Sequence, residues 1–209
     1  MAYQSLFYYT DLPKGVVDIL EQDLTHFNPE LGKSSIGSGT GTVDTKIRNS
    51  ETAWVDDEHW IGGFVWHYIQ KANRENFLFD IDCIDGNSLQ YTSYGEGQHY
   101  TWHVDADVTA SYKPQAANNR FDISAAASDL VNVSCEKIRK ISFSLLLSDP
   151  EEYEGGNFQL MDEAGRSHFA PRHRGVVVVF DSRARHRVTK VTKGVRRSIV
   201  GWAVGPRWR

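Results

Sequence analysis

Tyr94-Gly-Glu-Gly97-Gln-His-Tyr100-Thr-Trp-His103-Val-Asp105 is the stretch on which the fold turns. Its second half strings together Tyr, Thr, Trp and Val, residue types that suit a pleated, half-buried surface, and two glycines punctuate its start. The spacing predicts a strand over 100–105. Short runs with the same period of two recur over 77–84, 88–94, 138–147, 157–161, 175–180, 186–191 and 197–204. Turn residues separate most of them, among them Asp85-Gly86-Asn87, Asp149-Pro150, Glu154-Gly155-Gly156 and Lys193-Gly194. Upstream of residue 76 the period is helical instead. Asp11-Leu-Pro13-Lys reads as a helix entry with Asp11 as N-cap, and Val16, Val17, Leu20 and Leu24 follow at helical spacing. A second helix is predicted over 56–73, with acidic Asp56, Asp57 and Glu58 at its dipole-favoured start. Residues 32–45 read as a Gly/Ser/Thr-rich loop. Two helices followed by about eight short strands predict one mainly β (α+β) domain over 1–209, with helical support over 1–76 and an antiparallel jelly-roll core over 77–204. The polar stretch 106–136 interrupts the pattern, as a lid over substrate or as a disordered insertion.

Composition narrows the class. With 209 residues, 40% hydrophobic and 24% charged, the chain can bury a full core without staples. Cys83 and Cys135 are too few and too far apart for a disulfide framework or a Cys-based zinc or iron–sulfur site. The start has no basic segment followed by an apolar run, and the longest apolar run, 176–180, is far too short to span a bilayer. The expectation is a soluble, cytoplasmic protein with no membrane partner. The net charge of −4 is uneven: residues 166–209 hold 12 Lys+Arg and one acidic residue, Asp181. Either acidic and basic strands pair across one sheet, or the segment forms a positive face for an anionic ligand. The basic residues alternate with apolar ones instead of forming a solvated run, so nucleic acid is not expected as a partner.

In a strand, residues two apart share a face, so His103 and Asp105 present an imidazole and a carboxylate side by side. They are two-thirds of the 2-His-1-carboxylate triad that holds non-haem Fe(II) and leaves positions open for other ligands. A His-x-Asp pair needs a second histidine. The candidate is His186, which opens a strand soon after the apolar run 176–180. Strands distant in sequence face one another across the mouth of a jelly roll, so the separation is no obstacle. In the next strand Arg196 and Ser198 share a face; a guanidinium binds a carboxylate bidentately and a hydroxyl adds a third hydrogen bond. An exposed edge pair is the competing reading of these two residues.

The motif 94–105 resembles the Tyr-x-x-Gly-x-x-Tyr-x-x-His-x-Asp signature of prolyl 4-hydroxylase-type Fe(II)/2-oxoglutarate dioxygenases. Tyr153-Glu-Gly-Gly156-Asn-Phe and His186, Gly194-Val-Arg196-Arg-Ser198 and Trp202 follow in the same order as in that family, and the PKHD-type subgroup is the nearest in pattern. The resemblance covers about 77–204 and implies a double-stranded β-helix. It implies that His103, Asp105 and His186 ligate iron, that Arg196 binds the far carboxylate of 2-oxoglutarate with Ser198 nearby, and that Tyr94 contacts the co-substrate. It also implies O2 as co-substrate, ascorbate as a support for activity, and succinate and CO2 as co-products.

The resulting expectation is a hydroxylase acting on an unactivated C–H bond, by resemblance a prolyl residue in a peptide or protein. Two alternatives remain: the same chemistry on a free amino acid or another side chain, and a non-catalytic metal-binding jelly-roll module. The sequence gives no oligomeric state. Ser142 and Ser144 alternate with Ile141, Phe143 and Leu145, which leaves one small polar face able to line the co-substrate pocket. His99 reads as a packing or rim residue, and His168 and His173 as solvated.

Overall fold

The run Val176-Val-Val-Val-Phe180 explains the layering. Side chains of a strand alternate in direction, so a strand apolar on both faces must be covered on both. In the computed structural model, Val177 and Val179 pack with Val17, Leu20, Ile61, Val65 and Ile69 of two helices. Val176, Val178 and Phe180 point the other way and pack with Leu146, Tyr153 and Leu160. The strand is therefore the wall between a helical layer and the interior of a two-sheet sandwich. Full burial of each such Val, Leu or Ile stabilises the fold by about 1.5–3 kcal/mol. The structure describes residues 5–35, 43–56, 59–85, 89–106, 109–112 and 135–208.

The larger sheet runs β1 (Phe7–Asp11), β13 (Val176–Asp181), β9 (Cys135–Leu146), β16 (Arg196–Gly205), β6 (Gln90–Tyr94), β4 (Glu51–Trp54) and β2 (Gly32–Lys33), with β5 (Cys83–Ile84) added to β16 and β8 (Thr109–Tyr112) to β9. The facing sheet runs β12 (Ser167–Phe169), β11 (Phe158–Met161), β14 (His186–Val188), β7 (His99–His103) and β3 (Arg48–Asn49). A separate ribbon pairs β10 (Tyr153–Gly155) with β15 (Val191–Gly194). All pairings are antiparallel, as the jelly-roll expectation requires. The helices α1 (Lys14–Leu24) and α2 (Trp60–Ala72) cover the outer face of the larger sheet. Among the described residues no helix is long and apolar enough to cross a membrane.

The structure corrects several boundaries. Residues 1–76 are not helical support alone: β1, β2, β3 and β4 from this region join the two sheets. Asp11 is not a helix cap. It ends β1 opposite Val176, and Pro13 precedes α1 with its carbonyl accepting from the Val16 and Val17 amides at 2.9 and 3.3 Å. The second helix starts at Trp60, with the His59 side chain accepting from the Ile61 amide, and ends in a π-turn over Asn73–Phe77. The expected strand over 77–84 shrinks to Cys83–Ile84. Phe77, Phe79 and Ile81 do pack against the core, but Phe77 closes the π-turn, Leu78 is left-handed at φ 55, and only Cys83 and Ile84 pair in a ladder. The expected strand 186–191 divides between two pairings, β14 and β15. The lid-or-insertion stretch contributes β8, and its centre, 113–134, lies outside the described residues.

Candidate active site

His103 closes β7 and His186 opens β14, and the two residues are direct partners in the antiparallel ladder. Cross-strand partners lie side by side on one face, which brings the rings to 4.0 Å between centroids. The expectation that they meet across the barrel mouth is thus corrected: they are neighbours within one sheet. Asp105 also arrives differently from the reading. The strand ends at His103, and Asp105 lies beyond it, held by hydrogen bonds from its own amide and that of Ala106 to the Ser182 carbonyl at 2.9 and 3.0 Å. Ser182 follows β13, so the end of the two-faced strand positions the carboxylate.

The geometry leaves three donors converging. His103 Nε2 lies 3.7 Å from Asp105 Oδ1, and His186 Nε2 lies 3.4 Å from Asp105 Oδ2. One ligand atom from each residue falls within 4.8 Å of the others. Both imidazoles use Nδ1 to donate to a carbonyl, His103 to Thr101 at 2.8 Å and His186 to Ala184 at 3.0 Å. A carbonyl can only accept, so Nδ1 carries the proton and the Nε2 lone pair is free. Ser142 donates to Asp105 Oδ2 at 2.7 Å and shares a 2.9 Å hydrogen bond with Ser182. These outer contacts fix orientation and tautomer as they do around bound metals.

Electrostatics agree with that arrangement. Burial pushes the Asp105 carboxyl up, but His186, His103 and Arg139 pull it down and win, so it stays below the usual carboxylate range. Burial, then repulsion from His186, hold the His103 imidazole down at about 3, against the pull of Asp105. A neutral imidazole beside an ionised carboxylate is the protonation state that a divalent cation requires of its ligands. The Tyr100 ring stacks on His103 at 3.5 Å and 14°, and the Arg48 guanidinium lies 5.0 Å from the tyrosine ring centroid. Burial pushes the Tyr100 phenol up to about 12.

A small cavity open to solvent lies beside the triad. Phe158 lines it and packs edge-on against the His186 ring, so one side chain borders both. Ser144 lines it too, two residues along the same face of β9 from Ser142, a step of about 7 Å. Arg196 lies in its wall, buried, with Nη1 donating to Ser198 at 3.1 Å, and pairs with no carboxylate among the described residues. The expected shared face of Arg196 and Ser198 is present, and the exposed-edge reading is excluded by their burial. Tyr94 sits opposite Arg196 in the β6–β16 ladder with its ring 5.7 Å from the guanidinium, but it is not in the cavity wall. Gly156 adopts φ +58, and a Cβ there would meet Val191, Tyr153 and Arg196 side chains at 3.0–3.2 Å. The His99 ring lies 3.4 and 3.3 Å from the Gly97 and Lys46 carbonyls, and its backbone pairs with Asn49.

Sequence reasoning missed several neighbours. Ser142 was visible as part of a small polar face, yet its role beneath Asp105 needs the pairing of β9 with β13. Tyr153, Asn157 and Arg172 also line the cavity. Their positions depend on the ribbon and loop geometry, and no local spacing marks them.

A model of the 2OG-Fe(II) oxygenase superfamily matches residues 89–204. A PKHD-type hydroxylase, YbiX, of Shigella dysenteriae serotype 1 is 27% identical over 186 residues, covering 87% of this chain and 72% of its own. The fold is similar to that of a Pseudomonas putida prolyl-4-hydroxylase, with TM-score 0.66, 18% identity and coverage of 95% and 92% of the two chains. It is similar also to a Trichoplax adhaerens prolyl hydroxylase solved with a hypoxia inducible factor peptide fragment, with TM-score 0.65, 15% identity and coverage of 95% and 83%.

Proposed function

This chain belongs to the 2OG-Fe(II) oxygenase superfamily and is a 2-oxoglutarate-dependent dioxygenase, and from that premise we propose that His103, Asp105 and His186 hold its iron while Arg196 anchors its co-substrate. The donor set fits a ferrous ion: two imidazoles with free Nε2 lone pairs and one ionised carboxylate, arranged as a three-ligand face. The observation that carries the co-substrate half is Arg196, a buried guanidinium that faces a cavity beside the triad and has no acidic partner among the described residues. A buried charge of this kind calls for an anion.

Bound Fe(II) would supply the activation of O2 for insertion of oxygen into a C–H bond, coupled to conversion of 2-oxoglutarate to succinate and CO2. The chain's own residues do the rest. Thr101 and Ala184 carbonyls fix the two imidazoles, and Ser142 fixes the carboxylate. Arg196, steadied by Ser198 and flanked by Tyr94, orients the far carboxylate so that the 2-oxo end lies toward the triad. Phe158 and Phe180 keep water from the His186 side.

The preferred substrate is a prolyl residue in a peptide or protein, with ascorbate supporting turnover. Support comes from the prolyl hydroxylases that share the fold, one of them solved with a peptide fragment, and from the PKHD-type hydroxylases related in sequence. The test is succinate release from 2-oxoglutarate with Fe(II) and ascorbate, with and without a panel of proline-containing peptides. Peptide-stimulated succinate, a product heavier by one oxygen, and loss of both in His103→Ala are expected. Background succinate that is equal in wild type and His103→Ala across the panel would overturn the assignment.

A further inference from the structure

A second guanidinium lines the same cavity. Arg172 belongs to the segment between β12 and β13, and its side chain is pinned at the cavity wall. Nη2 donates to the Tyr153 carbonyl at 2.6 Å, Nη1 donates to Asn157 Oδ1 at 3.3 Å, and the guanidinium lies 4.2 Å over the Tyr153 ring. Its Nε is buried with no hydrogen-bond partner among the described residues. All of its partners are neutral. The cavity wall holds Arg196 and Arg172 and no aspartate or glutamate.

Two cations facing one cavity repel each other, and neither is compensated by an acid among the described residues. Arg196 is buried and Arg172 half-buried, so holding the two charges together away from bulk water is costly unless an anion enters. Pinning by Tyr153 and Asn157 means that little further ordering is needed when it binds.

We propose that Arg172 is a second carboxylate-binding residue of the co-substrate pocket, so that the far carboxylate of 2-oxoglutarate lies between Arg196 and Arg172. This rests on the co-substrate site assigned above. It makes the pocket selective for dicarboxylic 2-oxo acids: 2-oxopentanoate, which has the same chain length but no far carboxylate, forgoes both guanidiniums.

The test is calorimetric titration of Mn(II)-loaded protein, which reads binding without turnover. Wild type should bind 2-oxoglutarate far more tightly than 2-oxopentanoate. Arg172→Met keeps an apolar stem over Tyr153 and removes the charge. It should weaken 2-oxoglutarate at least tenfold and leave 2-oxopentanoate within about twofold of wild type, so that the preference narrows. Arg172→Lys, which retains charge but not the planar fork, should fall between. Equal 2-oxoglutarate affinity in wild type and Arg172→Met would overturn the role of Arg172 alone. Failure of metal-loaded wild type to bind 2-oxoglutarate would overturn the site assignment itself. Should neither variant fold, a crystal structure of the wild-type Mn(II)–2-oxoglutarate complex decides. A far carboxylate within hydrogen-bond reach of both guanidiniums supports the proposal, and one that touches Arg196 only refutes it.

Discussion

At the scale of single residues, the site is governed by contacts one step behind the three donors. Ser142 is the clearest, since its hydroxyl donates to Asp105 Oδ2 at 2.7 Å from a fully buried position. Hydrogen bonds to a charged group contribute about 1.5–3 kcal/mol, and loss of such outer contacts typically weakens metal binding about 10–100-fold. Ser142→Ala should show a weakening in that range by Mn(II) titration, with an unchanged circular dichroism spectrum; unaltered affinity would make the hydroxyl a packing group only. His103 gives a pH prediction. Its imidazole is held down at about 3 in the folded apo-protein, against about 6.5 in an unfolded chain. Between those values unfolding takes up a proton, so this contribution to stability is full above about pH 6.5 and is lost as pH falls through the window. Urea midpoints of apo-protein should decline from about pH 7.5 to about pH 5.5, and the decline should be shallower in His103→Gln. The identities of these residues were legible from sequence: His-x-Asp, a later strand-opening histidine, and a strand with Arg196 and Ser198 on one face. What lay beyond reach was which atom meets which. Asp105 reaches the site from a bend after the strand, not along its pleat, and the hydroxyl beneath it sits 37 residues further along the chain.

At the scale of elements, the period-two runs located the long central strands such as β6, β9, β13 and β16. They failed over 77–82, where a π-turn and a left-handed Leu78 replace the pleat, and at β1, an edge strand that ends in polar residues. Asp11-Leu-Pro13 reads as a helix entry because Asp and Pro are both at home there, yet pairing of Phe7–Asp11 with the whole length of Val176–Phe180 claims Asp11 for the sheet. Local preference loses to five residues of ladder. The turn at Gly156 lines the cavity that Arg196 faces and abuts that side chain. Gly156→Ala would force a side chain into a left-handed conformation, at a cost of about 1–3 kcal/mol, and would press on the Arg196 side chain at 3.2 Å. The expected result is a lowered melting temperature and weaker 2-oxoglutarate binding at unchanged Mn(II) affinity. Loss of Mn(II) binding as well would mean that the turn supports the triad directly.

At the scale of the whole molecule, metal occupancy and stability should be linked. Three converging donors exist together only in the folded chain, so an ion that binds them favours that state. At a hundredfold excess over Kd the gain is about 2.7 kcal/mol, which in a protein of this size corresponds to a rise in Tm of roughly 5–10 °C. Melting with Mn(II) and after chelation measures it, and Asp105→Ala should abolish the difference. The mainly β class and the jelly-roll plan could be read from the sequence because hydrophobic period is a local property. The participation of the first 76 residues in both sheets could not, because β3 and β4 are two and four residues long, too short to establish a period.

The strand β13 alternates its valines between the helices and the sandwich interior, and Val178 is one of the residues of the cavity wall. Helical layer and ligand chamber therefore share a partition one residue thick. A methylene added at Val177 or Val179 meets α1 and α2 directly and reaches the chamber only by shifting the strand that both layers share. Overpacking of the outer layer should therefore lower stability and displace the chamber wall together, and a search for activity mutants should include positions that no ligand ever touches.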